Sequence, residues 1–172
     1  MNDETLDNRR LGEDQGPITL EGLRGNREAV QALIEQARHS VYIYTRDLEP
    51  PLYDDPAIER ALSRLARGGR KSHVHIIVQD STRSVKQGHR LITLAQRLTS
   101  YVQIRNPSRD HMDYNSAFLV ADETALLRRN LADRYEGFVD FNDQVAAGEL
   151  VRYFREVWEH GLPDPQLRRL DL

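Results

Sequence analysis

The chain has 172 residues, of which 39% are hydrophobic and 30% charged, and its formal net charge is −3. This size and composition are typical of one soluble domain with a single core, and the absence of cysteine excludes disulfides, thiol catalysis and Cys-ligated zinc. No apolar run is long enough to span a bilayer, the start is polar rather than signal-like, and the charge does not favour nucleic-acid binding. We therefore expect a cytoplasmic protein.

The first third of the chain predicts a flexible arm followed by alternating helices and strands. Residues 1–17 contain only Leu6 and Leu11 as large apolar side chains, so we expect a flexible N-terminal arm. Residues 18–23 predict a short edge strand, and Asn26 is the expected N-cap of a first helix that ends near residues 39–40. Residues 41–45 predict a strand, and Asp55 with Pro56 predicts the start of a second helix that closes at residues 68–69.

The remainder predicts more strands and two helices, in a domain over residues 18–162 with a C-terminal tail at 163–172. Residues 73–78 predict a strand, a third helix is expected from about Lys86, and residues 101–105 predict a further strand before a turn-rich loop. Strands are then expected around residues 117–128 and at 135–141, and a final helix from about Asn142. This order predicts an α/β fold whose mixed, mostly parallel sheet is sandwiched by helices.

Residues 115–122 read Asn-Ser-Ala-Phe-Leu-Val-Ala-Asp, an apolar strand that stops at an acidic turn. At this place in its half-domain the phospholipase D superfamily carries its catalytic motif: His, any residue, Lys, four more residues, Asp. Counting back from Asp122 puts Asn115 at the His position and Ala117 at the Lys position. Over residues 19–160 the chain resembles one phospholipase D half-domain, and most closely the uncharacterised bacterial single-half domains of that superfamily.

The resemblance implies a fold without the family's chemistry. In the family the motif His is the phosphodiester nucleophile and the Lys binds the phosphate, roles that an Asn and an Ala cannot perform. Asp122 alone matches, and it is also explained as the acid that ends a strand at a turn. Because the family builds its site from two facing halves, the resemblance further implies a two-fold homodimer in which the turns near Asp122 approach a shared cleft.

The residues themselves predict a ligand pocket at the carboxyl ends of the strands, where open α/β sheets bind ligands. The candidate residues for an anion pocket are Arg46, Asp47, Asp80, Ser81, Arg83, His89 and Arg90, with Thr82, Ser84 and Lys86 as further donors. A solvated surface with ion pairs explains the same residues. No cofactor is expected.

Three alternatives remain open from the sequence. Asp47, Asp80 and Asp110 are carboxylates that a metal-dependent phosphodiesterase or nuclease would use to bind Mg²⁺. His73 and His75 share one face of a strand and would reach one metal, although core packing explains such a pair equally well. The third alternative is a purely structural interaction domain. The favoured interpretation is an inactive phospholipase D-like module that binds an anionic ligand or a protein partner.

Overall fold

The structure is a computed structural model that describes residues 4–167, in which helices cover both faces of one eight-stranded sheet. The strands are β1 (Ile18–Leu20), β2 (Ser40–Thr45), β3 (His73–Val78), β4 (Val102–Asn106), β5 (Ala117–Ala121), β6 (Ala125–Arg129), β7 (Gly137–Asp140) and β8 (Leu162–Pro163). The helices are α1 (Glu4–Asp7), α2 (Leu23–Gln36), α3 (Pro50–Tyr53), α4 (Pro56–Arg67), α5 (Thr82–Gln87), α6 (Arg90–Arg97) and α7 (Gln144–His160). The strand order is β1-β7-β6-β5-β2-β3-β4-β8.

The sheet is mixed, as predicted, but its parallel part is smaller than predicted. Only β2–β3 and β3–β4 pair in parallel. The remaining pairs are antiparallel, so the expectation of a mostly parallel sheet is wrong. The reason is connectivity: β5, β6 and β7 follow one another through short connections, which can join only antiparallel neighbours.

Two apolar clusters lie on opposite faces of the sheet, because side chains alternate along each strand. In β2, Val41 and Ile43 belong to the cluster under α2, α4 and α6, whereas Tyr42 and Tyr44 belong to the cluster under α7. This central strand is buried along its whole length, which explains its continuous apolar sequence.

One of the two predicted helix N-caps differs from the sequence expectation. Asp55 caps α4 as predicted and accepts a hydrogen bond from Ala57 N, but α2 begins at Leu23 with Gly22 as its N-cap. Asn26 therefore lies inside α2, where it is fully buried and its Nδ2 donates to Gly22 O and Tyr135 O.

The single helix predicted from Lys86 is two helices, α5 and α6. Gly88 separates them with a φ of +82°, a conformation that glycine adopts without steric cost. His89 then caps α6, since its Nδ1 accepts from Leu91 N at 3.0 Å.

The part of the predicted N-terminal arm that the structure describes is packed on the domain. Leu6 is 4% exposed in the larger apolar cluster. Leu11 N donates to Gln36 Oε1 and Gly12 N donates to Phe141 O, each at 2.8 Å. These contacts join distant parts of the chain, which composition does not reveal. The arm's flexibility stays a prediction, and residues 1–3 and 168–172 lie outside the described residues. Within the described range, no helix has the length and apolar character needed to cross a bilayer.

Candidate functional site

The motif positions 115 and 117 lie at the edge of the sheet where β2 and β3 end. β5 runs antiparallel to β2, so its start lies beside the end of β2. Ala117 pairs with Arg129 at the end of β6, and Asn115 O accepts from Ala132 N at 2.7 Å. The loop after β6 therefore lies against the segment that precedes β5.

The inward-facing side chain at this edge is Arg129, which is 2% exposed. Its Nη2 forms an ion pair with Glu49, and its Nη1 donates to Ala132 O at 3.3 Å and to Arg134 O at 2.9 Å. Directly paired residues on antiparallel strands project to the same face with neighbouring Cβ atoms. A long side chain at Ala117 would therefore compete with Arg129 for the same space.

Two neighbouring chain features fit around the arginine. Gly137 on β7 approaches so closely that a Cβ there would lie 2.4 Å from Arg128 O and 2.8 Å from Arg129 Cγ. Glu49 carries the partner carboxylate, whose Oε2 accepts from Thr45 Oγ1 at 2.9 Å. Burial raises the pKa of Glu49, and the Arg129 charge acts against that rise.

The backbone that presents Glu49 is strained. Leu48 and Glu49 have φ values of +67° and +32°, a left-handed conformation that costs a non-glycine residue about 1–3 kcal/mol. Asp47 Oδ1 accepts from Glu49 N at 3.0 Å, and His89 Nε2 is 3.0 Å from Leu48 O. Burial lowers the pKa of His89 and favours the neutral ring, which donates to Leu48 O through Nε2.

A cavity of about 380 Å³ opens beside this ion pair. Its lining includes Asp47, Glu49, Arg83, Arg129, Asp133 and Tyr135, with two prolines and Gln87. Arg129 Cζ lies 5.7 Å from the centre of the Tyr135 ring. Within the described part of the chain, Asp47, Arg83 and Asp133 form no ion pair, so their charges are available at the cavity.

The structure brings only Asp47 and Arg83, of the seven predicted pocket residues, to this cavity. His89 is buried and supports the β2–α3 loop as described above. Arg90 instead forms an ion pair with Asp54 at 3.1 Å. Arg46 is exposed and lies outside the cavity lining.

The other predicted residues make local contacts. Asp80 Oδ1 accepts from Thr82 N at 3.0 Å, and hydrogen bonds from Thr82 lower the pKa of that carboxyl group. Ser81 is fully buried and donates to Asp164. Ser84, also buried, donates to Asp47 O at 3.0 Å. These side chains hold the loops in place, and none of them lines the cavity.

Asp122 lies at the opposite edge of the sheet from Asn115. Its carboxylate accepts from the backbone N–H groups of Arg38, His39 and Ser40 at 2.7–3.1 Å. Asp122 itself has a φ of +54°. The one residue that matches the family motif thus fixes the loop before β2 and is remote from the cavity.

The metal-binding alternatives gain no support from the geometry. Within residues 4–167, no three His, Asp or Glu side chains are grouped so that they could hold a metal ion, and this includes Asp47, Asp80 and Asp110. His73 Nε2 lies 3.0 Å from Tyr42 Oη, and His75 stacks on Trp158 with ring centres 4.3 Å apart. Both histidines therefore have packing partners.

Sequence reasoning missed Glu49, Arg129, Asp133 and Tyr135. One signal was available for Arg129: it follows two positions after Leu127 in β6, so alternation places its charge on an inward face where a partner is required. Nothing in the sequence indicates that the partner is Glu49, 80 residues away.

Solved structures with the same fold include several phospholipase D family proteins. The archaeal chromatin protein TrmBL2 matches with a TM-score of 0.63 and 15% sequence identity. The match covers 88% of this chain but only 55% of the TrmBL2 chain. The phospholipase D family member Nuc from Salmonella typhimurium matches with a TM-score of 0.57 and 15% identity over 87% of this chain and 99% of its own. NucT from Helicobacter pylori matches with a TM-score of 0.58 and 16% sequence identity, over 87% of this chain and 99% of the NucT chain.

These likenesses show a phospholipase D-like fold. A search of curated proteins finds no match. The model of one protein family, described as a domain of unknown function (DUF7931), matches residues 23–170. That match covers most of the sequence and includes β2 to β8 and α2 to α7, whereas α1 and β1 lie before residue 23. The chain therefore belongs to the DUF7931 family and has a phospholipase D-like fold.

Proposed function

We propose that the protein is a catalytically inactive phospholipase D-like module that binds an anionic ligand or a protein partner and serves regulation or assembly. The observation that carries this proposal is the pairing of Ala117 with Arg129. The methyl group of Ala117 cannot bind a phosphate, the amide of Asn115 cannot form a phosphohistidine, and the buried Arg129–Glu49 pair occupies the adjacent space.

The cavity beside the ion pair is the proposed ligand site. Arg83 is exposed, lines the cavity and has no acidic partner among the described residues. A guanidinium group binds carboxylate or phosphate oxygens through paired N–H donors. Arg83 is therefore the proposed contact for the anionic group of the ligand.

We propose that two copies associate through the same edge of the sheet. Val85, Met112 and Leu131 lie on segments at this edge and are 37%, 43% and 47% exposed. A two-fold contact would bury these side chains on both copies at once. Asp122 lies at the opposite edge, so the turns around it do not belong to such a cleft. Sedimentation equilibrium at micromolar concentration tests this association: a mass near twice 19.9 kDa supports it, and 19.9 kDa throughout contradicts it.

A thermal-shift screen with orthophosphate, nucleotides and lipid headgroups tests the proposed ligand site. A ligand at about one hundred times its Kd would stabilise the fold by about 2.7 kcal/mol, a rise in Tm of about 5–10 °C. Arg83→Gln is expected to abolish the shift. The matched control is Arg46→Gln, which removes an exposed arginine at the same sheet edge outside the cavity. A shift that survives Arg83→Gln would place the ligand elsewhere.

Calorimetry with Mg²⁺ and Mn²⁺ separates the proposal from the metal-dependent phosphodiesterase alternative. The proposal expects no stoichiometric binding of either ion. Binding that disappears in Asp80→Asn would favour the metal enzyme. The purely structural alternative predicts neither metal binding nor a shift with any ligand of the screen.

A further inference from the structure

The charges at the cavity are of both signs, which suits a ligand whose anionic group is accompanied by a cationic group. Arg129 is already compensated by Glu49. The remaining charged groups of the lining are the carboxylates of Asp47 and Asp133 and the guanidinium of Arg83. A phosphate or carboxylate bound by Arg83 would therefore lie near two negative charges, and like charges that share a partly enclosed site repel strongly.

An aromatic ring also lines the cavity. Tyr135 is half-buried and lines the cavity together with Asp133. An ammonium group near carboxylates and an aromatic face gains from both charge attraction and the ring quadrupole. The cavity volume of about 380 Å³ is near the lower end of the range for small-ligand sites.

We propose that the cavity binds a free α-amino acid, a ligand that carries one carboxylate and one ammonium group. This inference rests on the proposed ligand site and specifies its chemistry. Arg83 binds the carboxylate, and Asp47 and Asp133 bind the ammonium. Such a zwitterion satisfies both signs of charge that the cavity presents, whereas an anion or an amine alone satisfies one and is repelled by the other.

A thermal-shift and calorimetric panel of the twenty standard amino acids at about pH 7.5 tests the inference. Propionate, ethylamine and orthophosphate serve as probes with a single kind of charge. At least one amino acid is expected to bind at least tenfold more tightly than propionate and ethylamine. Asp133→Asn and Arg83→Gln are each expected to lower the affinity for that amino acid at least tenfold. Asp113→Asn, an exposed acid of the same sheet edge outside the cavity, is expected to leave its affinity unchanged.

The possible results separate the inference from the proposed ligand site. If orthophosphate or propionate binds through Arg83 more tightly than every amino acid, and Asp133→Asn strengthens that binding, the site stands and the amino-acid ligand is overturned. If no amino acid binds, the inference is also overturned, and the wider screen of phosphates, nucleotides and headgroups then decides the proposed site by itself. Amino-acid binding that Asp133→Asn and Arg83→Gln leave unchanged refutes the assignment to this cavity.

Discussion

Replacing Arg129 by Met tests whether the buried ion pair holds this edge of the sheet. Met keeps much of the side-chain length but leaves the Glu49 carboxylate, whose side chain is 12% exposed, with Thr45 as its remaining polar partner. Ala132 O and Arg134 O also lose their donor. Removing one partner of a buried ion pair costs about 3–5 kcal/mol. For a chain of this length the expected fall in Tm is about 6–20 °C.

Urea unfolding of a double-mutant cycle measures the effect. The set is Arg129→Met, Glu49→Gln, the double variant, and Arg134→Met as a control at an exposed arginine of the neighbouring loop. The two changes are expected to couple by about 1–3 kcal/mol, because the second removes the charge that the first leaves uncompensated. A cost below about 1 kcal/mol for Arg129→Met, equal to that of Arg134→Met, would refute the reasoning.

The same variant has a pH signature. Burial raises the pKa of Glu49, and Arg129 opposes the rise, so the pKa is expected to be higher still in Arg129→Met. An acid whose pKa is raised by folding binds more protons in the folded state, so stability falls as pH rises through the interval between the two pKa values. Arg129→Met is therefore expected to lose less stability, relative to wild type, at acid pH than at alkaline pH. An equal loss of stability at acid and at alkaline pH would contradict a buried Glu49 carboxylate.

Three further predictions concern the rest of the domain. Asp122→Ala removes the acceptor of three backbone N–H groups, so we expect the free energy of unfolding in urea to fall by about 1–3 kcal/mol. Ligand affinity is expected to stay unchanged, and weaker ligand binding would contradict the remote position of Asp122. Burial, with the charges of His73, Arg105 and Arg155, lowers the pKa of His75 to about 4. The unfolded chain then binds the extra proton below about pH 6.5, so stability is expected to fall from there towards pH 4, and less steeply in His75→Phe; identical profiles would refute this. In hydrogen exchange, amides of residues 4–16 are expected to exchange faster than those of β3, and equal protection would disprove a flexible arm.

The strands and most helices were predictable because their signals are local. Alternation and continuous apolar runs mark β2, β3 and β5, and Asp55 with Pro56 marks the start of α4. The break between α5 and α6 was missed because the glycine at residue 88 is tolerated inside a helical pattern and signals a break only weakly. The directions of the β1–β7, β2–β5 and β4–β8 pairs depend on how strands distant in the sequence meet, which is why the antiparallel majority was not foreseen.

The candidate site was only partly predictable, for a physical reason. Strand ends indicate where a pocket lies, and this rule located Asp47 and Arg83. His89 and Ser81 follow the same strand ends, but their side chains are buried because their polar atoms form hydrogen bonds within the protein, His89 with Leu91 N and Ser81 with Asp164. The contact of Arg129 with Glu49 depends on tertiary packing, and the sequence around Glu49 does not indicate that this residue is the partner.

The central proposal is that the cavity at this sheet edge binds a ligand and that the protein performs no phosphodiester chemistry. The most direct measurement is hydrolysis of bis(p-nitrophenyl) phosphate by the purified protein, in EDTA and with added Mg²⁺ or Mn²⁺, beside Arg83→Gln and Asn115→Ala. We predict no release of p-nitrophenol above the buffer rate in any sample, since no nucleophile stands at Asn115 and no phosphate-binding lysine at Ala117. Turnover by the wild type that Arg83→Gln abolishes would contradict the account.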